Sequence, residues 1–240
     1  MWMKQILIFI LILLFSFVST ACVGVGDTEV ETYTIELSSE ESAIVELDMG
    51  AGELEVHGGA RELMEATFTY NVNKWKPTID YETSRGQGML KIRQGNTEGI
   101  PVGDTKNRWD ISLSESVFID LRIDMGAGQG ILDLRDIRLS ALDIDGGVGE
   151  LKLDLSGERD KDLDVDIDCG IGSATIYLPE DIGVRVHVNG GIGSVNAHGL
   201  YKKNGVYKNN AFGESDVAIS IQIDAGIGSI DLKTRSSRSV

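Results

Sequence analysis

A five-residue pattern recurs six times along the chain: Asp or Asn, any residue, Gly, a small or branched apolar residue, and a second Gly. The copies lie at Asp48–Gly52, Asp124–Gly128, Asp145–Gly149, Asp168–Gly172, Asn189–Gly193 and Asp224–Gly228. Their first glycines are 76, 21, 23, 21 and 35 residues apart, so three of the five separations share one period. Such a period is typical of a solenoid or array, in which each unit buries its apolar face only against neighbouring units.

The flanks of each copy have the alternation of a half-buried β-strand. Before the fourth copy, Leu163, Val165 and Ile167 alternate with aspartates, and a second short apolar alternation follows the glycines. No segment after Cys22 has convincing helical spacing. The sequence therefore predicts an all-β fold, a single-stranded parallel β-solenoid with roughly 21 to 23 residues per rung. Its rungs would lie about 4.8 Å apart in a right-handed coil.

The predicted bends account for an unusual composition, with 29 Gly and 3 Pro in 240 residues. Glycine permits positive φ and a close approach of stacked backbones, whereas proline removes a donor from an interior ladder. We therefore interpret the glycines of the repeats as structural: Gly50, Gly52, Gly126, Gly128, Gly147, Gly149, Gly170, Gly172, Gly191, Gly193, Gly226 and Gly228.

The longer separations predict where the regular array is interrupted. We expect residues 33–120 to form an N-terminal segment with the first rungs and a cap, and residues 121–233 to form regular rungs. The separation of 35 residues leaves room for an arm at 198–215, where Asn204-Gly205 between strand-like flanks is a hairpin signal. Residues 234–240 are expected to form a disordered tail.

The N-terminus indicates export. A positively charged start, an apolar run from Ile6 to Val18 and small residues before Cys22 are typical of a secretory signal peptide. The apolar run is shorter than the roughly 20 residues that span a bilayer, and an uncleaved signal anchor is the alternative. The position of Cys22 resembles the lipobox of bacterial lipoproteins, which implies a signal peptide at 1–21, a lipid anchor on Cys22 and a tether at 22–32.

A set of longer motifs accompanies the repeats, at Glu46–Gly59, Leu63–Tyr70, Trp75–Pro77, Asn107–Asp110 and Asn209–Ser215. Together with the glycine pairs they resemble the toast-rack domain family of bacterial envelope proteins, which includes cell-wall-active-antibiotic response proteins. The similarity covers roughly residues 33 to 233. The resemblance implies a β-solenoid outside the cytoplasm, with no established enzymatic activity and with proposed roles in envelope stress sensing or adhesion-like contacts. It provides no catalytic residues.

The aspartates that open the repeats are the sharpest candidate for a binding site. Stacked on neighbouring rungs, each pair would repel by about 0.9 kcal/mol in water at about 4.8 Å, and a cation could relieve this repulsion. Alternatively, each carboxylate accepts a hydrogen bond from the N–H two residues on, as in an Asx-turn. Asn189 occupies the same place and suits the turn better than a cation. We therefore predict turns and no metal site, with Asp124, Asp145 and Asp168 as weak metal candidates.

Signals for catalysis and for nucleotide or nucleic-acid binding are weak. The segment Gly126–Gly130 precedes another strand, whereas a dinucleotide loop must open a helix. The histidines His57, His187 and His198 are too scattered for the usual metal spacings. The net charge of -16 opposes binding to nucleic acid. We therefore predict no cofactor, no catalytic residues and no nucleic-acid partner, and we interpret Cys169 as a small buried side chain.

The remaining hypotheses differ in what the solenoid surface does. The principal one is a lipid-anchored, extracytoplasmic, non-enzymatic module that binds or assembles with an envelope protein, a wall polymer or itself. Its contacts would come from the basic arm, because exposed cations on an acidic protein suit an acidic partner: Tyr201, Lys202, Lys203, Tyr207 and Lys208. The alternatives are a carbohydrate-active β-helix enzyme, which needs converging carboxylates in a cleft, and a structural stalk.

Overall fold

The structure of the protein, a computed structural model, describes residues 22–95 and 100–236, without the side chains of residues 22, 23, 100–102, 191 and 192. The predicted signal peptide at 1–21 lies outside these residues. One 3₁₀ helix covers Asn73–Trp75. The described strands are β1 (Cys22–Gly24), β2 (Glu29–Ile35), β3 (Ser42–Ala60), β4 (Met64–Tyr70), β5 (Thr78–Ser84), β6 (Gln87–Arg93), β7 (Ile100–Val102), β8 (Asn107–Ser114), β9 (Phe118–Asp133), β10 (Leu139–Asp154), β11 (Leu163–Pro179), β12 (Gly183–His198), β13 (Tyr201–Lys203), β14 (Val206–Lys208) and β15 (Ala218–Arg235).

Each glycine pattern lies in the middle of one long strand: β3, β9, β10, β11, β12 or β15. These six strands run parallel to one another and are in register at the glycines, so that Gly128 pairs with both Gly52 and Gly149. Every long strand therefore has a first half before the bend and a second half after it. The prediction of an all-β fold is confirmed, as an open and mostly parallel sheet that bends along one line.

The close packing of neighbouring backbones requires both glycines of a bend. A Cβ built at Gly126 would overlap the carbonyl oxygen of Gly50, and one built at Gly128 would overlap that of Gly52. Gly128 also has a φ of +141°, which L side chains rarely adopt. The overlap with a neighbouring strand recurs at the corresponding glycines Gly147, Gly149, Gly170, Gly172, Gly193, Gly226 and Gly228.

Both halves of each long strand contribute to one core. In β11 the buried side chains before and after the bend are Leu163, Val165, Ile167, Ala174, Ile176 and Leu178. The inward positions have odd numbers before the bend and even numbers after it. The bend therefore shifts the alternation by one residue, so that each half can bury its own apolar row.

The order of the long strands in the sheet departs from their order in the chain. From β3 the sheet continues through β9, β10 and β11, then β15, and only then β12. The expected stacking of successive rungs holds from β9 to β11 and fails for the last two repeats, because β15 lies between β11 and β12.

Shorter strands cover the β3 edge of the array. β6 pairs with the first half of β3 and β8 with its second half, so together they form one interrupted rung. β5 pairs with β6, and β4 and then β2 extend the sheet beyond β8, all antiparallel. At the interruption, Gln94 Oε1 accepts the N–H of Ala51 at 3.1 Å and Asn107 Nδ2 donates to the Ala51 carbonyl at 2.6 Å. The side-chain amides of Gln94 and Asn107 thus make the hydrogen bonds that the backbone of a continuous strand would make in this rung.

The ordered domain extends beyond both expected boundaries. β2 starts at Glu29 and pairs with β4, so the end of the expected tether at 22–32 belongs to the sheet. β15 continues through Arg235, whose Nε donates to Ser156 Oγ at 2.8 Å, so the expected tail does not begin at Thr234. Residues 237–240 lie outside the described residues.

Candidate functional site

The arm is a hairpin that extends the sheet at the β12 edge. β14 pairs antiparallel with the first half of β12, and β13 pairs antiparallel with β14. Asn204 and Gly205 both have positive φ, 52° and 83°, as a type I′ turn requires. The structure therefore places a hairpin turn at the Asn-Gly pair that the sequence singled out.

One buried amide fastens the arm to the sheet. Asn209 is 2% exposed, and its Oδ1 accepts the N–H of Val184 at 2.9 Å. Its Nδ2 donates to the carbonyls of Ile182 at 2.7 Å and Pro179 at 3.1 Å. These bonds join the end of the hairpin to the turn between β11 and β12, so Asn209 positions the arm.

The five contact candidates on the arm differ in exposure. Tyr201, Lys202 and Lys203 are exposed on β13. Lys208 is half-buried, and its Nζ lies 4.3 Å from the centre of the Phe212 ring. Tyr207 is only 8% exposed and packs with the core, so its ring is not available to a partner.

A groove of about 610 Å³ lies beside the arm, on the outer face of the first strand halves. Arg185, His187 and Lys208 line one side, and Asp164 and Asp166 line the other. Sequence reasoning missed this groove because it combines side chains from four strands, β11, β12, β14 and β15. In the sequence, Arg185 and His187 alternate with Val184, Val186 and Val188, and this alternation was the one indication that both side chains lie on the outer face.

The aspartates that open the repeats form an exposed row across the sheet. The row consists of Asp48, Asp124, Asp145, Asp168 and Asp224, which pair in register across the sheet. Asn189, paired with Asp224, ends the row. In the described chain no hydrogen bond joins one of these carboxylates to the N–H two residues on, so the Asx-turn interpretation is wrong and the glycines form the bends. The described residues contain no group of three or more His, Cys, Asp or Glu side chains that could hold a metal ion.

Two side chains with shifted pKa values lie away from the arm. Burial, together with Asp168 and Asp145, raises the pKa of the half-buried Cys169 thiol, which opposes formation of a nucleophilic thiolate. For His57, burial lowers the pKa, but the Gly58 carbonyl at 2.8 Å and Asp110 at 3.1 Å outweigh it and raise the pKa. His57 therefore acts as a partly exposed contact between β3 and β8.

Cys22 begins β1, which pairs in parallel with β7 in a separate two-stranded sheet. Its side chain lies outside the described atoms, so the lipid anchor on Cys22 stays a prediction, as does the signal peptide at 1–21. Within residues 22–95 and 100–236 no helix is both long enough and apolar enough to cross a bilayer.

Comparison with known proteins identifies related families and folds. Residues 24–177 match the model of the N-terminal domain of toast_rack, and residues 128–232 match the C-terminal model of LiaF, of the cell wall-active antibiotics response. None of the curated proteins compared with this chain matches it.

Among solved structures, a candidate cell adhesion protein from Clostridium sporogenes is 33% identical, with a TM-score of 0.82 over 87% of this chain and 100% of its own. A candidate adhesin from Bacteroides fragilis covers 88% of this chain and 99% of its own, with 9% identity and a TM-score of 0.34. The toast_rack model matches more than half of the sequence, and the 33% identical structure has the same fold. The chain therefore belongs to the toast-rack domain family.

Proposed function

We propose that the protein is a non-enzymatic binding module of the cell envelope, a β-solenoid outside the cytoplasm that a lipid on Cys22 holds at the membrane. The toast-rack and LiaF matches support an envelope role, and the 33% identical structure is named as that of a candidate cell adhesion protein. In this proposal the bent sheet is a rigid support that presents a contact surface near the membrane.

The observation that carries the proposal is a cluster of unpaired cations on an acidic molecule. Arg185, Lys203 and Lys208 lie on one face of β12 and the arm, and Lys202 lies on the opposite face with its Nζ 3.3 Å from the Tyr207 hydroxyl; we call these four residues the basic end. In the described structure none of the four lies within 4.0 Å of a carboxylate, whereas six arginines elsewhere are paired with carboxylates: Arg93, Arg108, Arg122, Arg135, Arg138 and Arg235. The basic end is therefore free to bind an anion.

The charge of the whole molecule favours a polymeric anion at this end. With a net charge of -16, most of the surface repels a polyanion, and the basic end is where attraction can exceed repulsion. Exposed Tyr201, which pairs with Lys208 and lies on the same face, adds an aromatic surface for the partner backbone. We therefore assign an anionic wall polymer with repeated phosphates as the partner of the basic end.

Binding of purified poly(glycerol phosphate) polymer, measured by fluorescence anisotropy, tests this assignment. The triple variant Arg185→Ser, Lys203→Ser, Lys208→Ser should bind at least about 10-fold more weakly, because three charge-assisted contacts on one face are removed. The matched control removes three exposed cations near the opposite edge: Arg61→Ser, Lys74→Ser and Lys106→Ser. Equal loss of binding in both variants, or no loss in the first, would refute the basic end as the site.

The anchor has a separate test. In bacteria that express the protein, Cys22→Ala should abolish incorporation of labelled palmitate and move the protein from the membrane fraction to the soluble fraction. A Cys169→Ala variant, which retains Cys22, is the control. Membrane retention of Cys22→Ala without label would indicate an uncleaved anchor and contradict lipidation.

The groove beside the arm is the place to test the enzymatic alternative. It contains two carboxylates, Asp164 and Asp166, and two cations, Arg185 and Lys208. The carboxylates project side by side from one strand, whereas acid and base catalysts of glycoside hydrolysis flank the bond from two sides. Release of reducing ends from wall polysaccharide that Asp164→Asn/Asp166→Asn abolishes would overturn the non-enzymatic assignment.

A further inference from the structure

A row of exposed aliphatic side chains runs along the bend of the sheet. Val148, Ile171 and Ile227 lie between the two glycines of the patterns on adjacent strands β10, β11 and β15, and they pair in register. Their exposed fractions are 54%, 53% and 53%, although the apolar rows on both sides of the bend are buried. We call these three residues the corner ridge.

The corner ridge is unusual for the surface of this protein. In the described chain the other exposed large apolar residues are Val30, Met89 and Tyr201, and their strands β2, β6 and β13 are not neighbours in the sheet. Contiguous exposed apolar residues mark interaction sites more often than single ones do. The apolar groove at the ridge has a volume of only about 60 Å³, so a partner would lie on the ridge and not insert beneath it.

Unpaired negative charge adjoins the ridge. Five exposed aspartates alternate with buried residues on the first halves of β10 and β11: Asp143, Asp145, Asp164, Asp166 and Asp168. None of the five is within 4.0 Å of a cationic nitrogen in the part of the chain that the structure describes. We call this group the acidic face. The ridge and the acidic face together form an apolar strip with negative charge along one side.

The spacing of this surface matches an α-helix. Neighbouring strands lie about 4.8 Å apart, close to the 5.4 Å pitch of a helix, so one apolar residue per turn can meet each ridge residue. Asp168 precedes Ile171 by three residues, which is at most about 10 Å along a strand and similar to the diameter of a helix. A helix on the ridge would therefore hold one flank over the acidic face.

We propose that the corner ridge and the acidic face bind a cationic amphipathic helix. Its apolar stripe would cover Val148, Ile171 and Ile227, and its Lys or Arg side chains would approach the aspartates. An anionic membrane, or the same acidic surface of a second copy, would be repelled by these aspartates. The acidic face adjoins the basic end at the groove lined by Asp164 and Asp166, but the corner ridge contains no residue of the basic end and the two sites take opposite charges, so neither proposal depends on the other.

A labelled helical peptide of about 18 residues, built from Leu and Lys with an apolar stripe, is the probe. Binding to the full protein is followed by fluorescence anisotropy. Ile171→Ser/Ile227→Ser and Asp145→Asn/Asp168→Asn should each weaken binding at least about 10-fold, and added salt should weaken it further. Val30→Ser, which removes an equally exposed apolar side chain elsewhere, should bind as the unmodified protein does.

Several controls make the outcome decisive. Asp27→Asn/Glu82→Gln removes two exposed charges away from the corner and should leave binding unchanged, as should Lys202→Ser/Lys203→Ser on the basic end. Melting curves check that the variants fold, and photo-crosslinking of the peptide to the unmodified protein maps the site without any substitution. Crosslinks away from the corner would overturn the proposal. So would equal binding of a Leu/Glu peptide, or ridge-dependent binding of anionic vesicles or of a second copy.

Discussion

Gly128 and Asn107 illustrate two ways in which single residues control a bend of the sheet. Gly128 acts by lacking a Cβ where the Gly52 carbonyl lies close, whereas Asn107 supplies a side-chain amide to Ala51 in place of missing backbone. The glycine was predictable because its pattern is repeated. Asn107 was not, because its partner lies 56 residues earlier and no local pattern indicates that contact.

Substituting one glycine of a bend tests the close approach of the strands. Gly128→Ala should destabilise the protein by about 3 kcal/mol or more, because left-handed strain and overlap with Gly52 add together. Urea denaturation measures the change. Gly24→Ala is the control, since a Cβ there has no neighbour within 4 Å and its change should be close to zero. A tolerated Gly128→Ala would show that the strands can separate at little cost.

The ion pair of His57 predicts a pH dependence of stability. The pKa of His57 is raised in the folded state, so the protonated form stabilises the fold below the unfolded value of about 6.5. This contribution is lost as the pH rises through the folded pKa. In NMR titrations, Asp110→Asn should lower the pKa of His57. Ser112→Ala should change this pKa little, because the distance from Ser112 Oγ to His57 Nε2 is 3.5 Å and the hydrogen bond is weak. The reverse result would assign the shift to Ser112.

At the scale of elements, the arm combines a predictable turn with an unpredictable attachment. The Asn204-Gly205 turn follows from local preference for positive φ. The pairing of β14 with β12 and the burial of Tyr207 depend on tertiary packing, which the charge and aromatic content of the segment do not reveal. As a result, the surface available to a partner is narrower than the sequence indicated.

Releasing the arm from its attachment should destabilise it selectively. Asn209→Ala leaves Val184 N–H and two carbonyl groups without their partner, and we expect a loss of about 2 to 4 kcal/mol. Hydrogen exchange should accelerate in β13 and β14 more than in β10. Asn210→Ala, at an exposed neighbouring position, should leave exchange unchanged. Uniform acceleration across the sheet would indicate that the arm has no stability of its own.

For the whole molecule, charge is distributed by strand geometry. The alternation of each long strand places aspartates on the outer face, and the parallel register aligns them across neighbouring strands. The fold class and the outward acidity were therefore predictable from periodicity. The order of the last two strands was not, because both carry the same glycine pattern and that pattern does not specify which strand lies next to which.

This alignment predicts that salt stabilises the fold. Repulsion of about 0.9 kcal/mol per neighbouring pair is screened as salt is added, so raising NaCl from about 20 to 500 mM should raise Tm by about 4 °C. Asp145→Asn/Asp168→Asn should reduce this dependence. Calcium at the same ionic strength should add nothing further. A much larger shift with calcium, reversed by a chelator, would reveal a specific cation site and contradict the prediction of no metal.

The position of β15 between β11 and β12 has a consequence for how the protein matures. The chain is synthesised from its N-terminus, so β12 and the arm emerge before β15, the strand that joins them to the rest of the sheet. Until Ala218–Arg235 arrives, β12 lacks its long parallel neighbour, and the basic end cannot take its final position. A chain that ends before β15 would therefore lack a complete core, and its arm would not be joined to the rest of the sheet.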